Sequence, residues 1–217
     1  MLKLRHVYKT YQNDRHVLRD LNFETTTSGL YLIAGESGSG KTTLFKLLTA
    51  ISQPTSGEIF FKNCNISKLN ATEISDYRKN IGIIFQDYKL IPDLSIYENI
   101  ILPLKIQKKS KAEILQQINN IAEKLELNDF LNEYPEHLSG GQQQKAALAR
   151  ALIHRPDLII ADEPTGNLDP QNSAEVFRIL SDCAHQGATV LVATHDQSIL
   201  NKTSEKILNL HKGQFIL

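Results

Sequence analysis

The sequence predicts an α/β fold built on a buried, mainly parallel sheet, and three observations carry that expectation. Four short runs, LYLIAG, IGIIF, LIIAD and TVLVAT, are apolar at successive rather than alternate positions. Strands read this way when both faces are covered, as in parallel sheets flanked by helices. Helix-forming segments alternate with these runs. Finally, the first run passes through a glycine-rich loop straight into the helical stretch TLFKLLTA.

Taken in order, residues 2–34 and 57–62 offer β-rich segments: LKLRHVYKTY, HVLRDLNFET, LYLIA and EIFF. Between the second and third apolar runs lies a helical block, about residues 88–154. Within it Ser110-x-x-Glu113 has the form of a capping box. It opens a helix with Ile114, Ile118, Ile121 and Leu125 at helical spacing, expected to end at Leu127-Asn128. The lysine run KKSK at its start reads as a solvated face. The tail KILNLHKGQFIL reads as two short strands around a turn at Lys212-Gly213. No internal repeat, low-complexity segment or long linker interrupts the pattern.

A length of 217 residues suits one sizeable α/β domain with a full core, or that domain plus a small helical insert. Lys plus Arg and Asp plus Glu number 24 each, so composition gives no electrostatic argument for nucleic acid, leaving only a local patch. No apolar run approaches the ~20 residues that cross a bilayer, and MLKLRHVYKTY alternates and carries charge, unlike a secretory signal. Cys64 and Cys183 lack metal spacing; Cys183 falls with Val176, Ile179 and Leu180 on an apolar helix side, which points to core packing. These features suggest a reducing, cytosolic setting in which membrane contact goes through a partner.

GESGSGKTT fits G-x-x-x-x-G-K-S/T at every fixed position: Gly35, Gly40, Lys41 and Thr42. Glycines let successive N–H groups curl round phosphates, and the helix N-terminus adds its positive end. Ser37, Gly38, Ser39 and Thr43 complete the loop. Lys41 would reach the β and γ phosphates, and the Thr42 hydroxyl would ligate Mg²⁺. The alternative is a Gly/Ser loop that merely caps a helix. Strand, loop, lysine, threonine and helix in this order favour a nucleotide site.

LIIADE ends an apolar strand on two carboxylates. Ligands of such sheets sit at the carboxyl ends of strands. Asp162 is placed to hold the Mg²⁺ shell and Glu163 to polarise the attacking water, unless the pair simply caps the strand. A second glycine turn, LSGGQQQ, forms an S-x-x-Q capping box at Ser139, Gly140, Gly141 and Gln142, leading into QQQKAALARALIH. A well-capped helix is the plain reading. The same helix N-terminus is also an anion site, and one chain offers it no second phosphate. A twofold dimer does, if each subunit lays its Ser139 turn on the nucleotide held by the other.

LSGGQQQ, together with GESGSGKTT, Gln86 of FQDYKLIPD, ADEPTGNLD and THD, resembles the ATPase subunits of ABC transporters. The match runs through nearly the whole chain in the family's order. YENIILPL, LSGGQQQ and ADEPTGNLD resemble the branch that includes lipoprotein-release, macrolide-export, peptide-antibiotic-resistance and cell-division ATPases. The resemblance implies a P-loop NTPase with a mainly parallel core sheet, an N-terminal antiparallel β subdomain and an inserted helical subdomain, all in one domain spanning residues 1–217. It implies ATP and Mg²⁺ as cofactors, a second copy of the chain and a membrane-spanning permease as partners, and no nucleic acid. The expected location is cytoplasmic, peripheral on the inner face of the membrane.

Site roles also follow from the resemblance. Tyr11 would stack on adenine, though a lone Tyr near a strand end is often packing. Gln86 would sense Mg²⁺ and the attacking water, and DYKLIPDLSIYENI after it would face the membrane partner rather than form an ordinary connection. Asp169 would meet the opposite subunit, although Asp before Pro is also a common turn. His195 would contact the γ-phosphate; otherwise a His after TVLVAT is a satisfied structural residue. The branch usually has Arg at Lys145, where Lys presents a point charge instead of a planar fork. A mechanical or signalling ATPase of the cell-division type is the alternative to a transporter subunit. DNA-repair and ribosome-associated relatives carry tandem cassettes or a long coiled coil, and this chain shows neither.

Overall fold

In the computed structural model the described residues are 1–217 without 12–14, 26, 167, 202, 204 and 217, and without the side chains of Arg15, Gln197 and Ser198. The chain runs β1 (Leu2–Tyr11), β2 (Arg15–Glu24), β3 (Gly29–Ala34), α1 (Lys41–Leu48), β4 (Ser56–Phe61), β5 (Cys64–Asn65) and α2 (Ala71–Arg78). Then come β6 (Ile81–Ile84), α3 (Ile96–Ile106), α4 (Lys111–Lys124), α5 (Gly140–Leu152), β7 (Leu158–Asp162) and α6 (Pro170–His185). It closes with β8 (Thr189–Thr194), α7 (Gln197–Leu200), β9 (Lys206–His211) and β10 (Gln214–Ile216). Two compact units result, Met1–Arg78 with Leu180–Leu217, and Lys79–Ile179.

The first unit holds the antiparallel strands. β1 pairs with β2 on one side and β4 on the other, with β5 on the far edge of β4. Leu2, Leu4, Val7, Leu18, Leu21 and Ile59 are buried in this sheet. The alternation slips between Leu4 and Val7, where His6 adopts a left-handed φ of 46° and the register shifts. β3 belongs to a second sheet, parallel to β8 on one side and to β9 on the other. The consecutive apolar residues Leu30 to Ala34 and Val190 to Ala193 are all buried, as expected of strands covered on both faces. β10 returns antiparallel to β9. Lys212 and Gly213, at φ 46° and 81°, supply the two positive angles that a tight hairpin turn needs.

In the second unit β6 and β7 pair in parallel from Ile81↔Leu158 to Ile84↔Ala161. α5 packs on β6 and on α3. The contact with β6 is close, since a Cβ on Gly82 would lie 2.4 Å from the Ala151 carbonyl oxygen. Each of the helices α3, α4 and α5 opens on a complete capping box: Ser95 with Glu98, Ser110 with Glu113, and Ser139 with Gln142. α4 buries Ile118 and Ala122 and leaves Ile114 and Ile121 half-exposed. It stops at Lys124, earlier than the Leu127-Asn128 boundary, because Glu126 turns left-handed at φ 57°. Cys183 on α6 is half-buried rather than a full core residue. No helix among the described residues is long and apolar enough to cross a membrane.

Candidate functional site

One group of candidate residues grows from the end of β3. Ala34 pairs with Thr194 of β8, so Gly35 and His195 leave adjacent parallel strands at the same level. On the other side Ala34 pairs with Asn209 of β9. That squeeze explains Gly35: a Cβ there would lie 2.4 Å from the Leu210 carbonyl oxygen and 2.7 Å from Ser39 Oγ. The chain then rises through the exposed residues 36–38 and returns to buried Ser39, Gly40 and Lys41. Lys41 Nζ donates to the carbonyls of Gly35 at 2.6 Å and Glu36 at 3.1 Å, drawing the loop around its ammonium. Gly40 caps α1 with no side-chain acceptor, and the first turn of α1 contains no acidic residue. Ser39 Oγ is buried with no hydrogen-bond partner among the described residues. A donor-rich helix end around an ammonium and an orphaned hydroxyl fits a polyphosphate.

Thr42 is exposed and Thr43 half-buried on the first turn of α1. Tyr11, at the end of β1, is 41% exposed. Lys9 Nζ stands 5.1 Å from its ring centroid. The Tyr11 ring is thus partly presented to solvent and partly covered by Lys9. His195 is likewise exposed, at the mouth of β8.

A second group of candidate residues belongs to the other unit. One step past the Ile84↔Ala161 pair come Phe85 and Asp162, and one step further come Gln86 and Glu163. Asp162 ends β7, half-buried. Glu163 leaves the strand at a left-handed φ of 48°, rare for a residue with a side chain. Its carbonyl accepts the Gly166 N–H at 3.2 Å, closing a turn. A Cβ on Gly166 would sit 3.8 Å from Gln86 Nε2 and 3.9 Å from Glu163 Cβ. The structure thus brings Gln86 and Glu163 to the same turn.

Ser139 Oγ accepts the Gln142 N–H at 3.4 Å, and Gln142 Oε1 accepts the Ser139 N–H at 2.8 Å. The capping reading is thereby met, and it does not compete with anion binding. The box uses the N–H of Gln142, whereas the first N–H groups of a helix, here those of Gly140 and Gly141, have no intrahelical acceptor. A Cβ on Gly141 would lie 3.7 Å from Asn172 Nδ2. Asn172 in turn holds Asp169, which accepts its backbone N–H at 2.9 Å and its side-chain amide at 2.5 Å. The Asn172 backbone N–H, followed by the Asn172 side chain, keeps the Asp169 carboxyl below its ordinary value. Asp169 is thus the cap of α6, as well as an exposed carboxylate close to the Ser139 turn.

Sequence reasoning missed Tyr88, Asn99, Arg150 and Asn172, which hold these segments in place. Arg150 and Asn99 donate mainly to backbone carbonyls, which carry no side-chain signal, whereas Asn172 donates to the Asp169 carboxylate three residues before it. The cap at Ser95-x-x-Glu98 was legible by the same pattern as the other two.

A family model for ABC transporters matches residues 18–166. The cell division ATP-binding protein FtsE of Escherichia coli (strain K12) is 37% identical over 213 residues, which is 98% of this chain and 96% of that protein. FtsE of Mycobacterium tuberculosis is 36% identical over 217 residues, 100% of this chain and 94% of that protein. The dimeric structure of a bacterial ABC transporter cassette, 34% identical, superposes with a TM-score of 0.92 over 100% of this chain and 97% of its own. A dimeric post-hydrolysis state of an ATP-binding cassette with ADP and Pi gives a TM-score of 0.91 at 34% identity, with the same coverage.

Proposed function

The chain belongs to the ABC transporter family as an ATP-binding and ATP-hydrolysing cassette, and from that premise we propose that two copies close head to tail on two MgATP and drive a membrane-embedded partner. One observation carries this reading. The chain has a complete phosphate loop at residues 35–43 and, in its other unit, a second helix N-terminus at Ser139 whose first N–H groups have no acceptor in their own helix. The dimeric relatives support it.

In this reading the amides of residues 35–43, with Ser37, Ser39 and Lys41, hold the phosphates, and Tyr11 stacks on adenine. The Thr42 hydroxyl, Asp162 and Gln86 would hold Mg²⁺, which when bound neutralises charge on the phosphate oxygens. Glu163 accepts the proton of the attacking water, Gln86 orients that water, and His195 donates toward the γ-phosphate. Ser139, Gly140, Gly141 and Gln142 grip the partner copy's nucleotide, and Asp169 faces the partner copy. Switching a dimer from 1:99 to 99:1 needs ~5.5 kcal/mol of differential binding. Shared between two sites, that is under ~3 kcal/mol each, within reach of a few charge-assisted hydrogen bonds. The cassette spans residues 1–217 with the helical insert at about 88–154, and works at the cytoplasmic face of the membrane through its partner.

A second reading concerns what the partner does. The FtsE relatives match nearly end to end and are named for cell division, which supports a mechanical or signalling role as the alternative to transport. Identifying the membrane protein that co-purifies with the chain, and whether it encloses a substrate path, separates the two.

The dimer itself is tested by complementation. Ser139→Arg blocks closure on the partner's nucleotide, and Lys41→Ala weakens phosphate binding in its own loop. Each homodimer then has two damaged sites, whereas a mixed dimer gathers both lesions in one site and leaves the other intact. Mixing the two inactive proteins should restore part of the ATPase activity. If mixed dimers form and restore nothing, the Ser139 turn does not act across an interface.

A further inference from the structure

Arg150 lies on the last turns of α5, the helix that opens at Ser139. Its Nη2 donates to the Tyr88 carbonyl at 2.8 Å, and its Nη1 to the Lys89 carbonyl at 2.7 Å and to Asn99 Oδ1 at 3.4 Å. Tyr88 and Lys89 are both left-handed, at φ 61° and 51°. Two successive residues with side chains in that region are unusual, and the rigid fork of a guanidinium suits the two carbonyls they present. Asn99, fully buried, extends the clamp. Its Oδ1 accepts the Ile91 N–H at 2.8 Å, while its Nδ2 donates to the carbonyls of Ile91, Leu94 and Ser95 at 3.0–3.1 Å.

The other end of α5 touches the same segment. A Cβ on Gly140, the first residue of the helix, would lie 3.3 Å from the Tyr88 hydroxyl. Helical side chains lean toward the N-terminus, so Arg150 reaches back along α5 to the Tyr88 backbone while the Tyr88 side chain runs on to the first turn. Tyr88 and Lys89, just after Gln86, are therefore hydrogen-bonded to one end of the helix that carries the Ser139 turn, and the Tyr88 side chain packs close to its other end.

We infer that Arg150 is a positioning residue: it holds the Gln86 segment at a fixed offset from the Ser139 turn, so that the amide beside Glu163 and the anion-binding helix end move as one body. This rests on the proposed role of Gln86 in hydrolysis. Arg150 touches no reacting atom in this account and acts through the Tyr88 and Lys89 carbonyls.

A double-mutant cycle on the full chain tests it. Arg150→Lys keeps the charge and most of the stem but replaces the planar fork with a point donor, and Gln86→Ala removes the amide. The expected result is a fall of about tenfold in kcat for Arg150→Lys, with KM for MgATP and the melting temperature close to wild type. In the Gln86→Ala background the same change should cost nothing further, because both lesions break one linkage. A merely structural arginine would lower the melting temperature and multiply with Gln86→Ala, and either that pattern or an unchanged kcat for Arg150→Lys overturns the proposal alone. If Gln86→Ala by itself leaves kcat unchanged, the Gln86 assignment falls and the proposal with it. Arg150→Gln, which keeps an amide donor and loses the fork, goes through the same cycle, so a folding defect peculiar to lysine does not decide the outcome.

Discussion

Replacing Gly35 by alanine tests the geometry of the phosphate loop through sterics alone. Gly35 is not among the residues with positive φ, so alanine meets no backbone penalty there. What it meets is the Leu210 carbonyl oxygen at 2.4 Å, short by roughly 0.9 Å of an ordinary carbon–oxygen contact of about 3.3 Å. Ser39 Oγ, at 2.7 Å, can rotate away. The Leu210 oxygen cannot, because Asn209 is paired with Ala34 and Leu210 with Phe215. Overpacking costs ~1–3 kcal/mol, and a fixed backbone acceptor places this substitution near ~3 kcal/mol.

That strain has two outlets. If β3 and β9 separate, the whole fold bears it, and the melting temperature should fall by roughly 6–12 °C at ~2–4 °C per kcal/mol. If the loop shifts instead, nucleotide affinity should fall by about 10²-fold at ~1.4 kcal/mol per decade. Thermal unfolding without nucleotide and titration with a fluorescent ATP analogue measure the two, and together they should account for the strain. Gly38→Ala is the control: its Cβ meets nothing within 4 Å but sits at φ 81°, so only ~1–2 kcal/mol of backbone strain is expected. The reasoning is refuted if Gly35→Ala changes the melting temperature by less than ~2 °C and affinity by less than ~threefold.

Glu163→Gln should retain nucleotide binding, lose roughly 10²–10⁴ in turnover, and hold an ATP-dependent dimer visible by light scattering at about twice the monomer's 24.4 kDa; near-normal hydrolysis removes Glu163 from the mechanism. Ile91 is exposed and Tyr97 half-buried in the stretch expected to face the membrane partner, so Ile91→Glu with Tyr97→Ala should release the chain from membranes and spare its basal ATPase, and continued membrane binding would place the docking surface elsewhere. Glu98 is a poor handle for that experiment, because its carboxylate accepts the Ser95 N–H at 3.0 Å; Glu98→Lys should cost ~0.5–2 kcal/mol through loss of the α3 cap, read as a lower melting temperature.

The strands and the phosphate loop were legible because their signals are local. Four apolar runs give β3, β6, β7 and β8, and strand, glycines, lysine and helix follow one another without interruption. Helix α2 went unseen because ATEISDYR has no apolar stripe. It is held by partners far along the chain: Tyr77 donates its hydroxyl to the Leu48 carbonyl at 2.6 Å, and Arg78 donates to the carbonyls of Thr49 and Ala50. Backbone acceptors have no residue code, so such contacts leave no pattern to read. The same physics hid Arg150 and Asn99. Lys145 was visible as a departure from the branch, with a weaker hydrogen-bond fork as the expectation. In the structure its ammonium meets Glu126 at 3.0 Å and Glu175 at 3.2 Å. A point charge serves two carboxylates from separate segments well. Burial alone would lower the Lys145 ammonium, but Glu126 and Glu175 outweigh it and leave it raised.

These contacts share one helix. Along α5, Ser139 caps the first turn, Gly141 abuts Asn172 and through it Asp169, Lys145 joins Glu126 and Glu175, and Arg150 clamps Tyr88 and Lys89. Within the Lys79–Ile179 unit, the Gln86 segment, the Ser139 turn and the start of α6 are therefore referenced to a single rod. An α-helix transmits displacement because its backbone bonds are internal and its side chains interlock with fixed neighbours. Where α3 begins, Asn99 contacts the Ser95 carbonyl and Arg150, and Arg150 stands on the helix that opens at Ser139, so an unbroken chain of contacts joins the two. In the proposed cycle that continuity has a use: the segment expected to face the partner and the turn proposed to close on nucleotide would not move independently.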